Sequence, residues 1–130
     1  MPKVVQLAVS LQNRPGALAQ ICSVLGKAGV NISAVMAPEV KGRGKVRLLV
    51  DSPDRAKDAL NTAKIRFSEE EVIALSLDNR PGAVAEIAEK LAQAKINIKY
   101  AYATAAEGSA KATVLIAVPD VEKALGVLGQ

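Results

Sequence analysis

Histidine and tryptophan are absent from this 130-residue chain, cysteine occurs once, and the aromatics are Phe67, Tyr100 and Tyr102. Without histidine the chain lacks the commonest general acid/base and the commonest metal ligand. The single Cys22 excludes an intrachain disulfide and any multi-cysteine metal site. So few aromatics do not make a stacking platform for bases. Every unbroken apolar run is too short to span a bilayer. Met1 leads straight into a strand-like run, without the basic and apolar stretches of a secretory leader. These absences set the expectation of a soluble cytoplasmic protein, not an enzyme, with no metal or cofactor and with neither nucleic acid nor membrane as partner. What is plentiful is aliphatic: 50% of the residues are hydrophobic, mostly Ala, Val, Leu and Ile, a mix that suits a sheet covered by helices.

The sequence repeats itself. Asn-Arg-Pro-Gly-Ala occurs at Asn13 to Ala17 and again at Asn79 to Ala83, an offset of 66. The same offset carries Leu25 onto Leu91, Asn31-Ile32 onto Asn97-Ile98, Gly42 onto Gly108 and Pro53-Asp54 onto Pro119-Asp120, with no gap. A fixed long period marks a duplicated unit. Both copies kept a polar turn, so that turn is the first place to look for function. Charge is not duplicated. Residues 1–66 carry 11 Lys/Arg against 4 Asp/Glu, or +7, and residues 67–130 carry 6 against 9, or −3. Opposite halves favour docking of one repeat on the other, or on a second chain, over a uniform nucleic-acid surface.

Within the first copy, Val5, Leu7, Val9 and Leu11 alternate with Gln6, Ala8 and Ser10, which predicts a strand with one buried face. The turn Asn13 to Gly16 follows, with Pro15 at a first helical position. Leu18, Ile21, Cys22, Leu25 and Ala28 recur at helical spacing until Gly29 ends the helix. A second strand opens at Asn31 and runs to about Ala37. A hairpin tip at Lys41 to Gly44 leads to a third strand at Val46 to Val50. Ser52-Pro53-Asp54 starts a helix that reaches about Ala63, and Ile65 to Phe67 make a short fourth strand. The pattern is β-α-β-β-α-β. The second copy repeats it from a strand at Val72 to Leu77, through strands at Ile96 to Ala103 and Ala112 to Val118, to a helix from Pro119, and lacks its last strand before Gln130. No flexible linker separates the copies; Ser68 to Glu71 are short and acidic, and the units run 1–68 and 69–130.

These residues resemble ACT domains, small regulatory modules of amino-acid metabolism. The pattern is a strand, then Asn-x-Pro-Gly-x-Leu/Val-Ala, an amphipathic helix, and Asn-Ile opening the next strand. Both copies show it: Asn13 to Ala19 with Val30-Asn31-Ile32, and Asn79 to Ala85 with Ile96-Asn97-Ile98. The chain is most similar to small proteins made only of two ACT domains. The resemblance implies an α+β fold of two tandem ferredoxin-like units, each an antiparallel sheet with both helices on one face. It also implies a non-catalytic sensor that binds a free amino acid or similar zwitterion where ACT units meet, as a homodimer. In a serine-sensing relative the turn asparagine and the asparagine opening the second strand hold the ligand from opposite subunits. Those roles fall on Asn13 and Asn31, and on Asn79 and Asn97, flanked by Leu11, Gln12, Arg14, Pro15, Gly16, Ala17, Leu18 and Ile32 in one copy. In the other copy the flanking residues are Leu77, Asp78, Arg80, Pro81, Gly82, Ala83, Val84 and Ile98. A serine-sensing relative has a histidine two residues before the turn asparagine. Here Leu11 and Leu77 stand there, which favours a more apolar ligand side chain.

The chemistry of the turn fits independently. Free N–H groups at a helix start bind a carboxylate, and a carboxamide both donates and accepts. Each feature has a plainer reading. Asn13 and Asn79 can close an Asx-turn, and Asn31 and Asn97 can be loop residues after a helix end. Arg14 and Arg80 read as surface, Cys22 as core, and Lys41, Arg43, Lys45 and Arg47 as a solvated hairpin. Tyr100 and Tyr102 read as packing. Ala8, Ser10, Ala74 and Ser76 place small residues on the strand face opposite the core, which suggests association through the uncovered sheet faces. Rival functions are a regulatory subunit acting only through a metabolic enzyme, an RNA-recognition module, whose aromatics are missing, and a structural dimer without a ligand.

Overall fold

The computed structural model describes residues 3–38 and 41–129; Met1 and Gln130, named above, lie outside them. The elements in chain order are β1 (Lys3–Gln12), α1 (Ala17–Lys27), β2 (Ile32–Met36), β3 (Arg43–Val50), α2 (Pro53–Thr62), β4 (Phe67–Asp78), α3 (Ala83–Gln93), β5 (Tyr100–Thr104), β6 (Lys111–Ala117) and α4 (Val121–Leu128). Two compact units emerge. One is Val5–Glu70; the other takes Lys3, Val4 and the chain from Glu71 onward. In the first unit the strands run β2-β3-β1 and then the opening residues of β4. The other unit has β4-β6-β5, with the first two described residues of β1 on the free side of β4. That is the position for which the sequence offers no last strand.

The first core gathers Leu7, Val9, Val46, Leu48 and Val50 from one face of the strands under Ile21, Leu25, Ala56 and Leu60 of the helices. The second repeats this with Ile73, Leu75, Val114, Ile116 and Val118 under Leu91, Ala124, Leu125 and Leu128. Burial of these aliphatic faces is the main force holding each sheet to its helices.

The structure corrects the sequence reading at several points. First, β4 is one strand of twelve residues that runs through Ser68 to Glu71, where the sequence predicts one strand ending at Phe67 and another starting at Val72. Nothing between Phe67 and Asp78 breaks a strand, and each acid meets a cation. Glu69 accepts from Lys57 Nζ at 2.6 Å, Glu70 from Arg47 Nε at 3.1 Å, and Glu71 lies 3.6 Å from Lys3 Nζ.

Second, the repeat is not gapless in space. Leu7 pairs with Leu48, but Ile73 pairs with Ile116. Val35 pairs with Leu48, but its counterpart Ala101 pairs with Ile116. From β6 onward the structural counterpart therefore lies 68 residues on, not 66. A two-residue slip keeps every side chain on its own face, so the hydrophobic pattern does not reveal it. In this register Pro53 corresponds to Val121, the N-caps Ser52 and Asp120 correspond, and α4 starts at Val121, not at Pro119.

Third, both faces of the central strands are buried. Gln6 and Ala8 are as buried as Leu7 and Val9, and Val72, Leu115 and Ala117 are buried although they alternate with core residues. In the first unit a polar network occupies that face, with Gln6 Nε2 and Arg47 Nε both donating to Glu70 Oε1, at 3.3 and 3.1 Å. Arg47 is thus paired and not part of a solvated hairpin.

Smaller corrections concern helix ends. Helix α1 begins at Ala17, so Pro15 is outside it. Leu18 is exposed, and Ala17, Ile21 and Leu25 form the buried stripe, with Cys22 half-buried. Lys95 holds φ 60 where its counterpart Gly29 holds φ 76. That backbone region costs a side-chain-bearing residue about 1 kcal/mol. Lys95→Gly is expected to raise the unfolding free energy by up to about 1 kcal/mol, less the entropy that glycine adds to the unfolded chain. Urea denaturation of the two proteins measures it.

Candidate functional site

Each Asn-Arg-Pro-Gly-Ala turn enters its helix through a glycine at φ 87, Gly16 in one unit and Gly82 in the other. Residues with a Cβ rarely adopt that conformation, which is why the turn needs glycine there. Neither helix has a side-chain cap. The first helical bond of α1 runs from Gln20 N to Gly16 O at 3.0 Å, and that of α3 from Glu86 N to Gly82 O at 3.0 Å. The N–H groups of Leu18 and Ala19, and of Val84 and Ala85, therefore point out of the helix starts, where the local dipole favours an anion. Leu18 and Val84 beside them are exposed, at 38% and 53%.

Seven of the expected residues sit together in the turn of the first unit: Gln12 to Leu18. A cleft of about 270 Å³ opens there between Leu11, Gln12, Asn13, Arg14, Ala17 and Leu18 on one side and Ala37 and Pro38 on the other. Sequence reasoning did not single out Ala37 and Pro38. Their distance along the chain hides them, and only the return of β2 brings them in. Asn13 N donates to Gly42 O at 2.6 Å, which fixes the turn against the β3 end of the hairpin. In the other unit Asn79 N donates to Ala110 O and its Nδ2 to Ser109 O, both at 2.9 Å. The Asn79 carboxamide therefore spends one donor on the hairpin and closes no cap on α3.

Asn31 and Ile32 are not part of this cluster. They follow α1, whose 11 residues separate the two ends by about 16 Å at 1.5 Å per residue. Asn31 is pinned at that far end. Its N–H donates to Asp51 Oδ1 at 2.9 Å and its carbonyl accepts from Asp51 N at 3.1 Å. In the other unit the residue that corresponds to Asp51 is Pro119. Proline has neither that carboxylate nor an N–H. Asn97 and Ile98 lie outside the strand, which opens only at Tyr100.

The electrostatics of the two turns differ. Arg80 Nη2 donates to both carboxylate oxygens of Glu86, at 2.9 and 3.0 Å, and Asp78 lies 3.9 Å from its Nε. Lys111 Nζ donates to Asp78 Oδ1 at 2.7 Å. That ammonium first, and Arg80 second, hold the Asp78 carboxyl below the usual carboxylate range. The associated stabilisation is present above the unfolded carboxyl's pKa and is lost as pH falls through the folded one. Arg14, in contrast, donates to neutral acceptors, Gln12 Oε1 at 3.2 Å and Pro15 O at 3.3 Å. Among the described residues no group of three or more Cys, Asp or Glu side chains could hold a metal ion, and no helix is long and apolar enough to cross a membrane.

The family profile of the ACT domain pair matches residues 2–128. Among solved structures, protein BT0572 of Bacteroides thetaiotaomicron is 30% identical, with a TM-score of 0.90 over 98% of this chain and 88% of that one. The ligand-free regulatory subunit of aspartate kinase from Thermus thermophilus is 19% identical, with a TM-score of 0.65 over 97% and 91%. Aspartokinase III of E. coli, in complex with lysine and aspartate, is 18% identical, with a TM-score of 0.58. The match spans 96% of this chain but 29% of that larger one. Comparison with curated proteins gives no match.

Proposed function

The chain belongs to the ACT domain-pair family, and from that premise we propose that it is a non-catalytic sensor of a free amino acid with an apolar side chain. The observation that carries the reading is the uncapped start of α1 beside the small cleft under Leu18. The N–H groups of Leu18 and Ala19 take the α-carboxylate. Asn13 contacts the polar end, since a carboxamide can serve either charge. Leu11, Leu18, Ala37 and Pro38 face the side chain. Asn31 stands a helix length from Asn13, so a strand-opening asparagine reaches the same ligand only from a further ACT unit. Ligand binding then regulates by favouring one arrangement of units over another, as a ligand shifts only states that it binds unequally. Turn residues Gln12, Arg14, Pro15, Gly16 and Ala17 shape the site. The second turn, Leu77 to Val84 with Asn97 and Ile98, is its counterpart, altered by the Glu86 and Asp78 ion pairs.

A thermal-shift screen of the free amino acids, followed by calorimetry, tests this. One apolar amino acid is expected to raise the melting temperature, and Asn13→Ala to weaken its binding about tenfold, the usual loss for a hydrogen bond to a charged group. No shift with any amino acid sinks the reading.

A further inference from the structure

A second, larger cleft of about 590 Å³ lies in the first unit, between the start of α1 and the loop that follows α2. That volume is in the range of small-molecule sites. Its charged lining is all of one sign: Arg14, Arg43, Lys64 and Arg66, with no carboxylate among the residues that bound it. Among the described residues none of the four forms an ion pair. Arg43 Nη1 donates to the Ser10 hydroxyl at 2.9 Å, and Ser10 also lines the cleft. Backbone pairing of Ser10 N to Arg66 O at 2.9 Å holds Arg66 beside β1.

The duplicate supplies the contrast. Register pairs Gln12 with Arg43 in one unit and Asp78 with Lys111 in the other. Gln20 of the cleft corresponds to Glu86. The second copy thus neutralises both of its equivalent cations internally, Lys111 through Asp78 and Arg80 through Glu86. The first copy has glutamine at both acid positions, so Arg14 and Arg43 keep their charge for something else. Like charges gathered without counterions raise the local concentration of anions. Guanidinium forks match carboxylate and phosphate oxygens two at a time.

We propose that this cleft binds a small polyanion, a molecule carrying two or more negative charges on phosphate or carboxylate groups, as a site additional to the amino-acid turn. It shares Arg14 with that turn, but Arg43, Lys64 and Arg66 lie outside it, so the polyanion site does not depend on the amino-acid reading.

Calorimetric titration of the full chain with pyrophosphate and with citrate tests the proposal, at low and at moderate salt. Either anion is expected to bind, and more weakly as salt rises; the tighter one names the preferred group. Arg43→Gln with Arg66→Gln, both exposed and dispensable for the core, is expected to weaken binding at least about tenfold. The charge-matched control, Lys27→Gln with Arg55→Gln, is expected to leave it unchanged. No binding of either anion at millimolar concentration would overturn the site. So would equal weakening by both pairs, which signals net charge alone, or binding of a single-stranded oligonucleotide without either small anion. Persistence in Asn13→Ala is expected and separates this site from the turn.

Discussion

Leu25→Ala and Leu91→Ala are each expected to lower stability by roughly 3 to 5 kcal/mol, the loss typical of a buried leucine cut back to alanine. Both side chains are 0% exposed, and each lies at the centre of one unit's core. The penalty joins the lost transfer of the isobutyl group out of water and the cavity left behind, which sheets and helices at native density cannot collapse to fill. Leu18→Ala is the internal control. It removes the same atoms from a side chain that is 38% exposed, and it is expected to cost less than about 1 kcal/mol. Chemical denaturation curves for the three variants decide the matter. A Leu18→Ala loss equal to that of Leu25→Ala would place Leu18 in the core after all.

The second large effect is expected at Glu70. Its carboxylate oxygen accepts from Arg47 and from the fully buried Gln6. The side chains of Arg47 and Glu70 are only 21% and 27% exposed. Glu70→Ala strips a guanidinium and an amide of a shared acceptor in a poorly solvated place, at a cost of about 2 kcal/mol. Arg47→Leu combined with Glu70→Leu is expected to recover part of that loss, because the guanidinium no longer needs that acceptor, while the bond from Gln6 Nε2 stays lost. Denaturation midpoints of the single and double variants measure the coupling. A double variant as unstable as Glu70→Ala would show that the pair itself, not the lost acceptor of Arg47, carries the stability.

Much of this was legible in the residues. Alternation located the strands, the helical period located the helices, and the twin turns pointed to the uncapped helix starts. Three things were not. The acidic run from Glu69 to Glu71 does not read as strand because carboxylates are poor strand formers, and the cations of β1, β3 and α2 that meet it explain why it stays extended. The two-residue slip of β6 leaves no trace in a pattern whose own period is two. Leu18 fits a helical period as well as its neighbours do, yet the stripe that faces the sheet is Ala17, Ile21 and Leu25. Of the candidate site, the run from Gln12 to Leu18 is contiguous in sequence and so is legible as one turn, whereas the cleft that Ala37 and Pro38 complete depends on the return of β2.

The division of the chain has a genealogical consequence. The units part after Val4 and after Glu70, positions one repeat apart, so the opening dipeptides Lys3-Val4 and Glu69-Glu70 are the same piece of the ancestral repeat. Each is folded into the unit built mainly from the other copy. Their charges have diverged to suit their hosts. Lys3 serves the acidic copy through Glu71 and Glu122, and Glu69 and Glu70 serve the basic copy through Lys57 and Arg47. A chain cut back to one repeat would therefore lack a segment that its unit contains here.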